Sequence, residues 1–337
     1  MSPDLSTPAG WLPIVFMGLM GLSMLLYVIL DGYDLGVGIL LRRAEDAEKD
    51  MMIAAIGPFW DANETWLVLG VGLLLVAFPL AHGMILQALY LPVALMLVAL
   101  MLRGVAFEFR AKVRAEHKAR WNFLFFLGSL VAALAQGAML GSFVLGFRSG
   151  WTESVFALFV GACLAAGYCL LGASFLIMKT SGELQRRAVR WARASLGLTA
   201  LGIVAISVAT PLLSANIFNK WFSLPNVILL APIPLMTAVL FFINWRVLKT
   251  LPRENDRSAW VPFACTVGVF ILSFQGLAYS LYPYLVVDQV TIWQAASSPE
   301  SLKIILVGTV VVLPTILAYT AFAYRVFWGK ARALSYY

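Results

Sequence analysis

Charge is scarce in this chain. Only 12% of its 337 residues are Asp, Glu, Lys or Arg, against 61% hydrophobic, and the mean hydropathy is +0.88. No water-soluble globular domain approaches those values, so that class is excluded. Histidine is scarcer still, with His82 and His117 the only two. Axial ligation of a haem iron usually calls for histidine, and neither one falls mid-way along an apolar run, which argues against a haem bound by this chain alone. Cys163, Cys169 and Cys265 lie within apolar runs, show no metal-ligand spacing and read as small packing residues. There is no Gly-Lys-Ser/Thr phosphate loop and no strand-bounded Gly-x-Gly-x-x-Gly, so the chain alone is neither an ATPase nor a dehydrogenase. It also has no basic, aromatic-interleaved surface domain, which excludes nucleic acid as a partner. Met1 to Gly10 carries no Lys or Arg, so it lacks a secretory signal's basic region and the first helix is expected to be retained.

What abounds is apolar sequence of membrane-spanning length. Nine runs occur, near 11–39, 56–79, 83–102, 122–146, 155–178, 194–214, 226–245, 259–283 and 302–327. The fold expected is an all-α integral membrane protein with about nine transmembrane helices. These divide into two four-helix bundles plus one peripheral helix, residues 1–150 forming the first bundle and residues 151–337 the second with the extra helix. With the amino terminus outside, segments 40–55, 103–121, 179–193, 246–258 and the carboxyl tail hold 3, 6, 5, 4 and 3 basic residues, 21 of the 24 present. Only Arg148, Lys220 and Lys303 fall on the other side, a partition that places the carboxyl terminus in the cytoplasm. The net charge of +7 thus reflects topology and contact with anionic lipid headgroups. The polar stretches after Arg103 and from Lys179 to Arg193 have room for short amphipathic helix extensions. On the opposite face the longest connection runs from Tyr284 to Ser301, with Trp293 placed as an interfacial aromatic.

Against this background four carboxylates stand out. Asp31 and Asp34 lie in Asp31-Gly-Tyr-Asp34-Leu-Gly-Val-Gly38, and Asp61 and Glu64 in Pro58-Phe-Trp-Asp61-Ala-Asn63-Glu64-Thr-Trp66. Charge inside hydrocarbon is costly and persists mainly where it pairs, meets water or moves protons. Each pair is three residues apart, hence on one helical face. All four fall near the cytoplasmic ends of consecutive antiparallel helices, where crowded like charges raise at least one pKa and share a proton. That is the chemistry of a proton relay; the alternative is capping or pairing with Arg42, Arg43 or Lys49 at the interface. Gly32, Gly36, Gly38, Gly70 and Gly72 read as helix-packing residues that also let water or backbone approach the acids. Phe59, Trp60 and Trp66 read as bulky packing residues, or as the lining of a route toward a partner's cofactor.

These two motifs closely resemble subunit II of cytochrome bd-type quinol oxidases. The similarity continues through Arg103-Gly-Val-Ala-Phe107-Glu108-Phe-Arg110, then Gly276, Pro283, Thr291-Ile-Trp293, Ala296-Ser-Ser298 and Pro314-Thr-Ile-Leu-Ala-Tyr319-Thr320. The chain's shortness for that family points to its compact, cyanide-insensitive type. The resemblance implies a subunit of a complex in the bacterial cytoplasmic (inner) membrane that oxidises quinol and reduces dioxygen to water. Haems b and d and the quinol-oxidising loop then belong to subunit I. This chain is implied to be its haem-free companion, with no catalytic, cofactor-binding or metal-binding residue of its own. A small single-helix accessory subunit and a structural quinone are compatible with it. By position, Asp34 and Asp61 match acids of a cytoplasmic proton route, with Asp31 and Asn63 beside them. Trp66 matches a position near the partner's oxygen-reducing haem. Glu64 stands where family members can carry Gln, which sets it apart from the other acids. A proton-coupled secondary transporter is the other reading, but its acids would sit nearer the midplane. A purely structural assembly subunit leaves the four acids unexplained.

Overall fold

The computed structural model of the chain describes residues 4–213, 215–253 and 256–331. Helix α1, Pro8–Leu40, ends in a 3-10 turn, Leu41–Arg43. At 33 residues it extends about 50 Å, well beyond the thickness of a bilayer's hydrocarbon. Helix α2, Asp46–Ile56, follows, although residues 40–55 read in sequence as a polar connection. Local chemistry explains the difference. Glu45 and Glu48 form a reciprocal capping box, and Lys49 pairs with Asp46 at 2.6 Å across the first turn. The helix breaks at Gly57-Pro58-Phe59, and α3 runs Trp60–Ala77.

Then come α4 (Pro79–Lys112), α5 (Ala115–Val144), α6 (Trp151–Lys179) and α7 (Gly182–Leu213). The basic stretches after Arg103 and before Arg193 are thus helix extensions, as their composition suggested. Short helices α8 (Ala215–Phe222) and α9 (Asn226–Leu230) precede α10 (Pro232–Thr250) and α11 (Val261–Leu281). A two-stranded antiparallel hairpin, β1 (Tyr284–Val286) and β2 (Val290–Thr291), leads through α12 (Ile292–Ala295) to α13 (Pro299–Val326). Among the described residues eight helices are long and apolar enough to cross a membrane, and the α2–α3 pair brings the number to nine if it is one span. Each corresponds to one of the nine apolar runs. The chain is a multi-pass membrane protein.

Its residues cluster into two compact units. The first comprises Met1–Asp31, Pro58–Ala88 and Leu281–Trp328. Here the connection before α13 is folded rather than merely interfacial. The Trp293 indole donates to the Gly10 carbonyl at 2.9 Å, and Ser297 donates from its backbone N–H to Ala77 O and from its hydroxyl to Val76 O. These bonds satisfy terminal carbonyls of α3 that the helix itself leaves open.

The second unit comprises Gly32–Gly57, Leu89–Ser280 and Gly329–Tyr337. Its centre is the crossing of α1 over α6. A Cβ on Gly32 would meet the Tyr168 ring at 2.7 Å, one on Gly36 would overlap the Tyr168 carbonyl, and one on Gly172 would lie 2.5 Å from Val37 N. Two backbones touch there, so the glycines are packing residues. The same device recurs between α5 and α6, where a Cβ on Gly137 would fall 2.6 Å from Gly161 Cα. Ion pairs hold α2 in this unit. Buried Arg110 donates to Asp50 at 2.6 Å and to Asn122 at 2.5 Å, while Arg187 bonds Glu45 and reaches Glu48 at 3.2 Å.

The chain after α13 is fastened to the same unit. Lys330 donates to Asp256 at 2.6 Å and to Thr180 O at 2.7 Å, and the Ala331 N–H donates to Lys179 O at 2.7 Å. Partial burial tends to raise the Asp256 pKa, but the Lys330 and Gln185 hydrogen bonds and the Lys330 charge outweigh it and hold the carboxyl below its ordinary value. Residues 332–337, which include the expected cytoplasmic carboxyl terminus, lie outside the described residues.

Candidate functional site

Helix α3 organises the acidic segment by dividing it between two faces. Asn63, Trp66, Gly70, Leu73 and Ala77 form the buried face, and Asp61, Thr65, Val68, Val71 and Leu75 point outward. The spacing of three and four residues within each set makes each a continuous stripe. Glu64 sits at the boundary, half-buried. Asp61 occupies the first turn, where the helix macrodipole favours a negative charge.

The inward face meets α1 and α13 within the first unit. The Asn63 amide donates to the Leu30 carbonyl at 3.3 Å, one residue before Asp31, and its oxygen accepts from the Tyr324 hydroxyl at 3.4 Å. The Tyr324 ring stacks on Phe59, with centroids 4.4 Å apart and 20° between planes, and Phe327 meets Phe59 edge-on. Trp66 is 1% exposed, and its indole N–H has no hydrogen-bond partner among the described residues. Met24 of α1 packs over Gly70, close enough that a Cβ there would touch its methyl group at 3.0 Å.

The carboxylates therefore differ in surroundings. Asp31 and Asp34 are both fully buried, one helical turn apart on α1. Asp61 is exposed on this chain and Glu64 half so. Two of the three interfacial cations expected to pair with them have other contacts. Lys49 bonds Asp46, and Arg42 stacks over Phe123 and Phe126 at 5.9 and 5.3 Å.

Two participants escaped sequence reasoning. One is the Tyr324–Phe59 pair: Tyr324 reads as one more aromatic near the end of an apolar helix. The other is Arg103, which is 1% exposed in the second unit. A Cβ on Gly128 would lie 3.0 Å from Arg103 N, and Gly38, one turn past Asp34, packs on Ser129 and Phe125. The backbones of α4 at Arg103 and of α1 at Gly38 thus both pack closely against α5. The signal was present, since Arg103 interrupts an apolar run within a motif that the resemblance had already marked.

Both histidines stand at helix starts. His82 is in the first turn of α4 and His117 is exposed in the first turn of α5. Among the described residues no group of three or more His, Cys, Asp or Glu is placed to hold a metal ion.

Comparison with known proteins agrees with this architecture. The family model described as cytochrome bd terminal oxidase subunit II matches residues 12–327. The cytochrome bd ubiquinol oxidase subunit 2 of Bacillus subtilis is 29% identical over 320 residues, covering 89% of this chain and 91% of that one. The cytochrome bd-I ubiquinol oxidase subunit 2 of Escherichia coli K12 is 28% identical over 360 residues, covering 93% of each. Among solved structures, a chain of the bd oxidase from Geobacillus thermodenitrificans superposes with a TM-score of 0.77 at 17% identity, covering 94% of this chain and 98% of that chain. That last likeness concerns the fold alone.

Proposed function

The chain belongs to the cytochrome bd terminal oxidase subunit II family, and from that premise we propose that it is the haem-free companion of subunit I in a quinol:dioxygen oxidoreductase and lends it a proton-entry route. Haems b and d, and the site where quinol is oxidised, belong to subunit I in this reading. The observation that carries it is Asp61, an exposed carboxylate heading an otherwise uncharged outward stripe of Thr65, Val68, Val71 and Leu75. Facing lipid, that carboxylate would be costly; facing another polypeptide, it has a role. The outward stripe of α3 is therefore the surface offered to subunit I, and Asp61 passes protons across it.

Asp31 and Asn63 lie behind it on the inward side, and Asp34 continues the acidic face of α1. Glu64 flanks the route, and a Gln there would preserve its hydrogen bonding. Trp66, which resemblance matches to a position near the partner's oxygen-reducing haem, lies on the inward face of α3 at 1% exposure, so it would act there through the helix and not by direct contact. Chemically, the acids accept and release protons while Asn63 holds a fixed pattern of donor and acceptor.

Cysteines placed on the outward stripe should report the partner directly. Val68→Cys and Leu75→Cys should crosslink to subunit I in membranes, whereas Leu73→Cys on the buried face should not. Crosslinks confined to cysteines on α7 or α10 would overturn this placement.

Orientation follows from the partition of basic residues, with the amino terminus periplasmic in the inner membrane. A reporter active only in the cytoplasm should work when fused after Tyr337 and stay silent when inserted after Gly150. The opposite pair of outcomes would invert the topology.

A further inference from the structure

We infer that Tyr324, near the end of α13, is the positioning residue for Asn63 in the proton-entry route; this rests on the proton-route reading above. The geometry gives the Asn63 amide one defined orientation. Its nitrogen donates to the Leu30 carbonyl and its oxygen accepts from the Tyr324 hydroxyl. Rotating the amide by half a turn would set its oxygen against a carbonyl oxygen, which can only accept, so the Leu30 carbonyl selects the orientation. The Tyr324 hydroxyl then donates to the amide oxygen that this leaves facing α13 and holds it in place.

The orientation has a consequence on α1. In the α-helical pattern the Leu30 carbonyl takes the Asp34 backbone N–H, and Asn63 adds a second donor to that oxygen. Asn63 therefore fixes the α1 backbone one residue before buried Asp31. Tyr324 is in turn held by its stack on Phe59, itself 2% exposed, with Phe327 edge-on beside it. Phe59 is the N-cap residue of α3, so the stack also ties α13 to the start of the helix that carries Asp61. Charged groups within one turn on these three elements are Asp31, Asp34, Asp61, Glu64 and the exposed Arg325. A pH profile that depends on the Tyr324 hydroxyl would then report on those acids.

The test is turnover per haem of the assembled oxidase in Tyr324→Phe, across pH, beside Asn63→Leu, the double variant and Asp61→Asn. Phenylalanine keeps the stack on Phe59 and deletes only the hydroxyl. Tyr324→Phe should lower turnover roughly three- to tenfold, less than the loss of an acid–base group itself, because only its positioning is weakened. Its alkaline limb should move to lower pH, because proton supply becomes limiting sooner, while the KM for quinol is unchanged. In the Asn63→Leu background the same substitution should add little, since both act through one amide. A Tyr324→Phe enzyme with wild-type turnover and pH profile, beside an impaired Asp61→Asn, overturns this inference and leaves the proton route standing. Wild-type behaviour in both variants removes the route itself. A full additional loss in the double variant would show that Tyr324 acts elsewhere than through Asn63.

Discussion

Asp61→Asn is expected to lower quinol oxidase turnover about tenfold or more, the range usual for a lost acid–base step, with haem content and complex yield near normal. The substitution keeps the side chain's shape and much of its hydrogen bonding but removes the titratable proton. The packing cost should be small because Asp61 is exposed on this chain and buries no side chain of its own. What is lost electrostatically is a carboxylate in the first turn of α3, worth a few tenths to about 1 kcal/mol near a helix amino terminus. That is too little to dissolve a membrane complex. The measurements are turnover per haem and the haem spectrum of the purified oxidase. Glu64→Gln should be milder, since the amide keeps its contacts at the edge of the two faces. Full turnover in Asp61→Asn with an intact haem spectrum would reduce Asp61 to a helix-terminal charge, and the functional reading of the acidic segment would fail with it.

The fold was largely legible because each membrane span must be an apolar run of about 20 residues, and that rule works on sequence alone. What escaped depended on contacts that no local pattern carries. Helix α2 is held by a capping box at Glu45 and Glu48 and by Arg110 and Arg187, which approach from 60 and 142 residues away. Its own composition reads as a charged connection. The site was legible in kind but not in direction. Residues 60–77 are apolar nearly all round, so which face of α3 turns inward, that of Asn63 or that of Asp61, could not be read from periodicity. The four acids read as one cluster, whereas their surroundings differ from fully buried at Asp31 to exposed at Asp61. Tyr324 lay beyond reach for a simpler reason: it meets Asn63 across 261 residues of chain, and nothing near either residue announces the other.

Gly36→Leu is expected to abolish accumulation of the oxidase, whereas Gly18→Ala on the same helix should be tolerated. The contrast isolates the α1–α6 crossing from any general effect of placing a side chain on α1. At Gly36 a Cβ would overlap the Tyr168 carbonyl and crowd Gly172 N at 3.1 Å, so the obstruction is main chain on both sides. A flexible side chain could move aside; two helical backbones cannot do so without parting. At Gly18 nothing lies within 4 Å of the added methyl, so only propensity changes, and alanine is the better helix former. Overfilling a well-packed core typically costs 1–3 kcal/mol and more where backbone must shift. A membrane bundle has little hydrophobic drive between its helices to set against that loss. The crossing also carries the segment from Gly32 to Gly38, hence Asp34, so a separated α1 would displace the acid along with the helix. The measurement is haem-bearing complex recovered from membranes, expected to fall at least about tenfold for Gly36→Leu and to match wild type for Gly18→Ala. Normal yield of Gly36→Leu would mean that α1 and α6 do not touch at this point, and the packing explanation for the glycines around the acids would fall with it.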